Sequence, residues 1–160
     1  MLRCRSAAGF TFIELLVSLA IIATLASVVF PLAQLQKQRE QERELRSALR
    51  DIRSALNAYK RAVDEGRVVI KPGESGYPRT LQDLVDGVED AKDPMRRKIY
   101  FLRRIPRDPF AADHSVPAHS SWGKRSYASP ADKPLEGNDV FDVYSRSPGV
   151  GLNGIPYKEW

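Results

Sequence analysis

From Leu15 to Leu35 the chain consists mostly of Leu, Ile, Val, Ala and Phe, and between Ser6 and Gln36 its one ionisable side chain is Glu14. Twenty such residues rise about 30 Å as a helix, enough to cross the hydrocarbon core of a bilayer. Arg3 and Arg5 precede the run, so the positive-inside tendency leaves the N-terminus in the cytoplasm and sends the rest of the chain outward. A cleavable secretory signal, an ordinary signal anchor and a buried core helix are the competing readings. A secretory signal needs a small-residue cleavage site after its apolar stretch, a role into which Ala23-Thr24-Leu25-Ala26 could be forced.

Glu14 argues against that reading. A carboxylate near the head of an apolar span costs roughly 2.5 to 3.5 kcal/mol unless it finds a partner, which makes it a functional suspect. A positive amine is the partner most easily supplied. Cleavage between Gly9 and Phe10 would create one four residues before Glu14, on the same side of one helix. Between neighbouring helices, the carboxylate of one copy could meet the amine of the next and fix the axial register of a stack. The segment Gly9-Phe10-Thr11-Phe12-Ile13-Glu14-Leu15, with a short basic leader before it and a long apolar helix after it, resembles the class III signal of type IV pilins and type II secretion pseudopilins. The resemblance implies cleavage after Gly9 by a prepilin peptidase, N-methylation of Phe10 and a register role for Glu14. Pro31 lies late in the run, where such subunits often carry a proline, whose ring removes a backbone donor and can kink or locally melt the helix.

Beyond Leu35 the composition turns abruptly to Gln, Glu, Lys and Arg, with no Gly or Pro from Leu32 to Glu65. The helix is therefore expected to continue into water. Leu45, Leu49, Ile52, Leu56, Tyr59 and Val63 recur at helical spacing, with Ala48, Ala55 and Ala62 beside them. About three heptads could support a coiled coil, but residues 36–44 have no apolar seam, and packing against the chain's own head is the better reading. Gly66 suits the left-handed conformation common just past a helix end.

Residues 67–160 form the expected head. With the soluble half of the helix they make roughly 110 to 125 residues, enough for one modest core. Cys4 is the only cysteine and lies in the leader, so a processed chain could form no disulfide. Strands are expected at Val68-Val69-Ile70, at Ser126 to Ser129, and at Asp139 to Ser145 with Phe141, Val143 and Ser145 on one face, and Tyr100 to Phe110 reads as a short strand or an extended turn at an edge. Thr80 is placed to cap a short helix carrying Leu81, Leu84 and Val85 inward. The segments YPRTLQDLV, YFLRRIPRDPF, WGKRSY and DVYSRSPG resemble, in order, the head of the major pseudopilin family of type II secretion. The implied architecture is α+β and pilin-like: one long N-terminal helix packed against a small antiparallel sheet with long loops. Its parts are a leader at 1–9, a transmembrane and polymerisation helix at 10–35, the soluble half of that helix at 36–66, and a periplasmic head at 67–160.

Two features depart from the family. Residues 111–121 form an insertion, expected as a surface loop. The family's C-terminal loop typically binds calcium, yet from Arg146 to Lys158 this chain has no acid, and only Asp142 and Ser145 match positions in that pattern. Apolar anchoring by Leu152, Ile155, Tyr157 and Trp160 is expected to order the tail instead, and no cofactor is assigned.

No phosphate loop, paired cysteines, H-E-x-x-H or G-x-S-x-G occurs, so no enzymatic activity is expected. His114 and His119 read as loop histidines, and Asp83, Asp86, Glu89, Asp90 and Asp93 as a surface run. Two of the formal +5 charges belong to Arg3 and Arg5, and elsewhere basic and acidic residues alternate. The cluster Arg96, Arg97, Lys98, Arg103, Arg104 and Arg107 therefore reads as a solvated face or subunit contact. The resemblance implies copies of itself, other pseudopilins, prepilin peptidase, an inner-membrane assembly platform and lipid as partners, in a single-pass inner-membrane protein. Nucleic acid is not expected. A type IV pilus or DNA-uptake subunit is the alternative, and the absence of a cysteine-bounded C-terminal loop weighs against it.

Overall fold

The computed structural model describes residues 9–113, 115–130 and 133–160. Residues 1–8 of the leader, with Arg3, Cys4 and Arg5, and His114 of the insertion lie outside the described residues. Helix α1 runs over Phe12–Asp64, 53 residues. The chain divides into a unit ending at Glu40 and a second running from Gln41 to Trp160.

In the first unit α1 is an apolar rod with its side chains open to the surroundings, among them Phe12, Ile13, Leu16, Leu19, Ile22 and Leu25. It is long and apolar enough to cross a membrane. Three polar side chains in the run bond the helix's own carbonyls: Ser18 Oγ donates to Glu14 O at 2.7 Å, Thr24 Oγ1 to Ile21 O at 2.8 Å and Ser27 Oγ to Thr24 O at 2.7 Å. Hydroxyls satisfied in this way offer no unpaired polar group to hydrocarbon.

In the second unit the apolar stripe of α1 is the base of the core. Leu45, Leu49, Ile52, Leu56 and Tyr59 are buried, as are Ala48, Ala55 and Ala62. Leu81, Leu84, Trp122, Val140, Val143 and Tyr157 close over them. Each buried Leu or Ile in such a cluster is worth about 2 to 5 kcal/mol against Ala. The helix ends at a Schellman turn. Gly66 has φ +70°, its N–H bonds Val63 O at 2.8 Å, and Arg67 N–H reaches back to Ala62 O at 2.8 Å.

The expected small sheet is two separate antiparallel pairs. Strands β1 (Val88–Glu89) and β2 (Lys98–Ile99) form the first, with Val88 opposite Ile99. Strands β3 (Trp122–Arg125) and β4 (Asp142–Ser145) form the second, with Trp122 opposite Ser145 and Arg125 opposite Asp142. Gly123 lies opposite Tyr144, whose ring would come within 2.4 Å of any Cβ placed there.

Several expected strands are not formed, for identifiable reasons. At Val68-Val69-Ile70 the helix cap takes the Arg67 and Val68 amides, both bonded to Ala62 O, and Ala91 N–H takes the Arg67 carbonyl. Tyr100 to Phe110 takes the turn of its two expected forms: the Phe101 and Leu102 amides both turn onto Leu84 O, and two prolines lack donors. The strand expected at Ser126 to Ser129 lies four residues earlier, because Ser129 N–H closes a turn onto Ser126 O. Phe141 precedes β4 and meets Tyr77 and Tyr127 edge-on, while Val140 is the core residue, held by its N–H bond to Pro78 O. Val143 and Ser145 face inward as expected. Short helix α2 (Asp83–Asp86) carries Leu84 inward, but no side chain caps it from its N-cap position. The Thr80 hydroxyl is not the cap; the Asp83 carboxylate instead accepts from Thr80 N–H at 2.9 Å.

Candidate functional site

Gly9 and Phe10 precede α1 and are exposed. Thr11 is the N-cap of α1 and Glu14 is the third helical residue. The Glu14 amide donates to Thr11 Oγ1 at 3.3 Å, and the Thr11 amide to Glu14 Oε2 at 3.5 Å. This reciprocal arrangement is a capping box, which satisfies two helix donors that otherwise lack partners. The sequence reading missed it, although Thr11-Phe12-Ile13-Glu14 carries the T-x-x-E spacing in plain view. Glu14 therefore has a local role besides any pairing with an amine. Pro31 lies inside α1, and the helix runs through it without a break.

In the head, the six-residue spacing of Arg-x-x-Pro-x-Asp in the 103–108 segment serves a buried polar hub. Asp108 is fully buried; its carboxylate accepts from Ser145 Oγ at 2.6 Å and from Phe110 N–H at 2.9 Å, while its own N–H bonds Ser121 Oγ at 3.1 Å. Trp122 Nε1 donates to Pro106 O at 2.8 Å. Ser121 sits at the end of the insertion, whose residues 118–120 form a short 3-10 turn with His119 on it. Arg107 holds the loop through Val116 O at 2.6 Å. In sequence Asp108 reads only as part of an edge strand or extended turn.

The two calcium candidates are engaged elsewhere. Asp142 is paired with Arg53, Nε to Oδ1 at 2.8 Å, and the Ser145 hydroxyl is committed to Asp108. Among the described residues no three of His, Cys, Asp and Glu gather as a metal cluster. With Asp142 and Ser145 committed in this way, the two candidates leave too few free side-chain oxygens for a hard cation wanting six to eight. The tail is held as expected by Tyr157, which stacks on Phe110 at 4.1 Å and meets Trp160 edge-on at 5.2 Å. Leu152 and Ile155 contribute little to this, being 45% and 44% exposed.

The basic and acidic runs turn out to be partners within the chain. Arg97 pairs with Asp93 at 2.6 Å, Arg96 approaches Glu89 at 3.6 Å, and Asp90 receives Arg67 at 2.6 Å. The hydrogen bond from Arg97 lowers the Asp93 pKa, and that from Arg67 lowers Asp90. Glu74 is lowered likewise by Arg79. Arg103 and Arg104 are exposed. This interleaving disperses the positive field that a nucleic-acid face would concentrate.

Residues 4–30 match the family described as the prokaryotic N-terminal methylation motif. The chain is 28% identical over 142 residues to the type II secretion system core protein G of Klebsiella michiganensis, which covers 86% of this chain and 92% of that protein. It is 29% identical over 120 residues to the core protein G of Dickeya chrysanthemi, covering 72% and 71%. With the core protein G of Klebsiella pneumoniae the identity is 28% over 138 residues, covering 82% and 91%. No solved structure matches the chain. The methylation motif thus coincides with the exposed Gly9-Phe10 segment and the capped start of α1, and the likeness to core protein G extends well beyond it.

Proposed function

We propose that this chain is the major pseudopilin of a type II secretion system, a structural subunit that polymerises into a periplasmic filament and promotes export of folded proteins across the outer membrane. The observation that carries the reading is the joint extent of the likeness: it covers most of the chain, head included, and not the N-terminal motif alone. In this reading a prepilin peptidase cuts between Gly9 and Phe10 and Phe10 is N-methylated. The apolar part of α1 anchors the subunit in the inner membrane with its N-terminus cytoplasmic, and later packs against neighbouring copies. Glu14 sets axial register by meeting the Phe10 amine of the next subunit. Other pseudopilins and an inner-membrane platform complete the assembly, and the work of extrusion comes from those partners.

Co-expression with a prepilin peptidase, followed by intact-mass measurement, tests the reading. The expected product lacks residues 1–9 and carries one added methyl group. An unprocessed chain, or cleavage beyond the apolar run, would refute it.

A further inference from the structure

A cation that orders a loop does so by collecting oxygens from separate stretches of chain. In this head one side chain collects them. Arg53, on the soluble part of α1, donates through Nε and Nη2 to the two oxygens of Asp142 at 2.8 and 3.4 Å, and through Nη2 to Val143 O at 3.2 Å and Trp160 O at 2.7 Å. One carboxylate and two main-chain carbonyls are the donor types that calcium would take. We propose that Arg53 is a built-in cation for the C-terminal loop, so that the head orders its tail by an intramolecular latch and needs no divalent metal.

The rest of the latch lies on the same edge of α1. Residues 42, 46 and 53 follow one another at four and seven positions, which places them in line along a helix. Glu42 is buried, and its Oε1 accepts from Leu152 N–H at 2.8 Å and Tyr157 Oη at 3.1 Å. The Arg46 guanidinium carbon lies 4.4 Å from the Trp160 ring centre, a cation–π contact. Between these anchors the loop closes on itself: Gly151 N–H bonds Ile155 O at 2.9 Å and Tyr157 N–H bonds Gly149 O at 3.1 Å. A guanidinium remains charged at every working pH and presents a rigid fork of donors. A divalent ion arriving at Asp142 would have to displace it or sit beside a like charge. The latch rests on contacts within the head and stands apart from the filament reading.

Amide hydrogen exchange of the full chain in detergent micelles tests the proposal, comparing residues 149–160 in calcium chloride and in EGTA. The wild-type tail is expected to exchange at the same rate in both. Arg53→Ala, which strips charge-assisted bonds from three acceptors, should speed exchange about tenfold or more. Arg53→Lys, with the charge but no fork, should fall between. Glu42→Ala should speed exchange at Leu152 and Tyr157 if the Arg53 variant does not fold. Slower wild-type exchange in calcium than in EGTA would overturn the proposal, as would wild-type protection in Arg53→Ala.

Discussion

Glu14 is offered two roles, and one substitution separates them. Glu14→Gln keeps a residue type that completes a capping box as well as Glu does, so the helix start should survive, while the charge is lost. If the carboxylate pairs with a neighbour's amine in apolar surroundings, removing it leaves that amine uncompensated, at about 2 to 5 kcal/mol per contact. The middle of that range, about 3.5 kcal/mol, weakens each subunit contact roughly 300-fold. Loss of the cap alone costs about 0.5 to 2 kcal/mol and falls on the helix end, not on the interface. Thr11→Val supplies that control, because it removes the hydroxyl that accepts the Glu14 amide at 3.3 Å and leaves the charge in place. The assay is the yield of sheared filaments from cells holding equal amounts of processed subunit. Glu14→Gln should give almost none and Thr11→Val a modest reduction. Normal filaments from Glu14→Gln, with failure of Thr11→Val, would refute the register mechanism and leave Glu14 as a cap.

Asp108→Ala would leave the buried Ser145 hydroxyl and the Phe110 amide without their acceptor. At about 1.5 to 3 kcal/mol for each bond to a charged group, the head should melt more than about 10 °C lower by circular dichroism, and a shift under about 3 °C would contradict the hub. Asp90, Asp93 and Glu74 are held below the ordinary carboxylate range by Arg67, Arg97 and Arg79. Burial alone would raise Asp139, but bonds from Ser126, Ser75 and the Tyr127 amide outweigh it, so it too is lowered. Groups whose folded pKa is depressed stabilise fully above their unfolded value and lose that contribution as pH falls through the folded one. The melting temperature should thus hold from neutrality to about pH 5 and drop below about pH 4, and a flat profile to pH 3 would contradict these pairings.

The helix was legible because its code is local. The stripe from Leu45 to Val63 repeats at the helical period, Gly66 stands where a Schellman turn needs φ above zero, and all but Val63 of the stripe is buried. The strands were legible only in part because each pair is short. β1 and β2 have two residues each, too few for alternation to declare itself, and at the start of the 68–70 segment the Ala62 carbonyl at the helix end takes the Val68 amide first. β4 was found because DVYS alternates strictly and its inward positions, Val143 and Ser145, meet the core.

The tail shows why site residues can be harder to read than folds. Asp142 and Ser145 are weak ion-site candidates in sequence because they match positions in the family's pattern, yet what satisfies them lies far away along the chain. Arg53 is 89 residues before Asp142, and Asp108 is 37 before Ser145. In sequence nothing in its own segment distinguishes Arg53 from Arg50. Its role follows from where β4 and the last turn bring their oxygens. A chain with no acid from Arg146 to Lys158 can keep its C-terminal loop ordered if a cation is supplied from the helix beneath it, and Arg53 at 2.7 Å from Trp160 O supplies one.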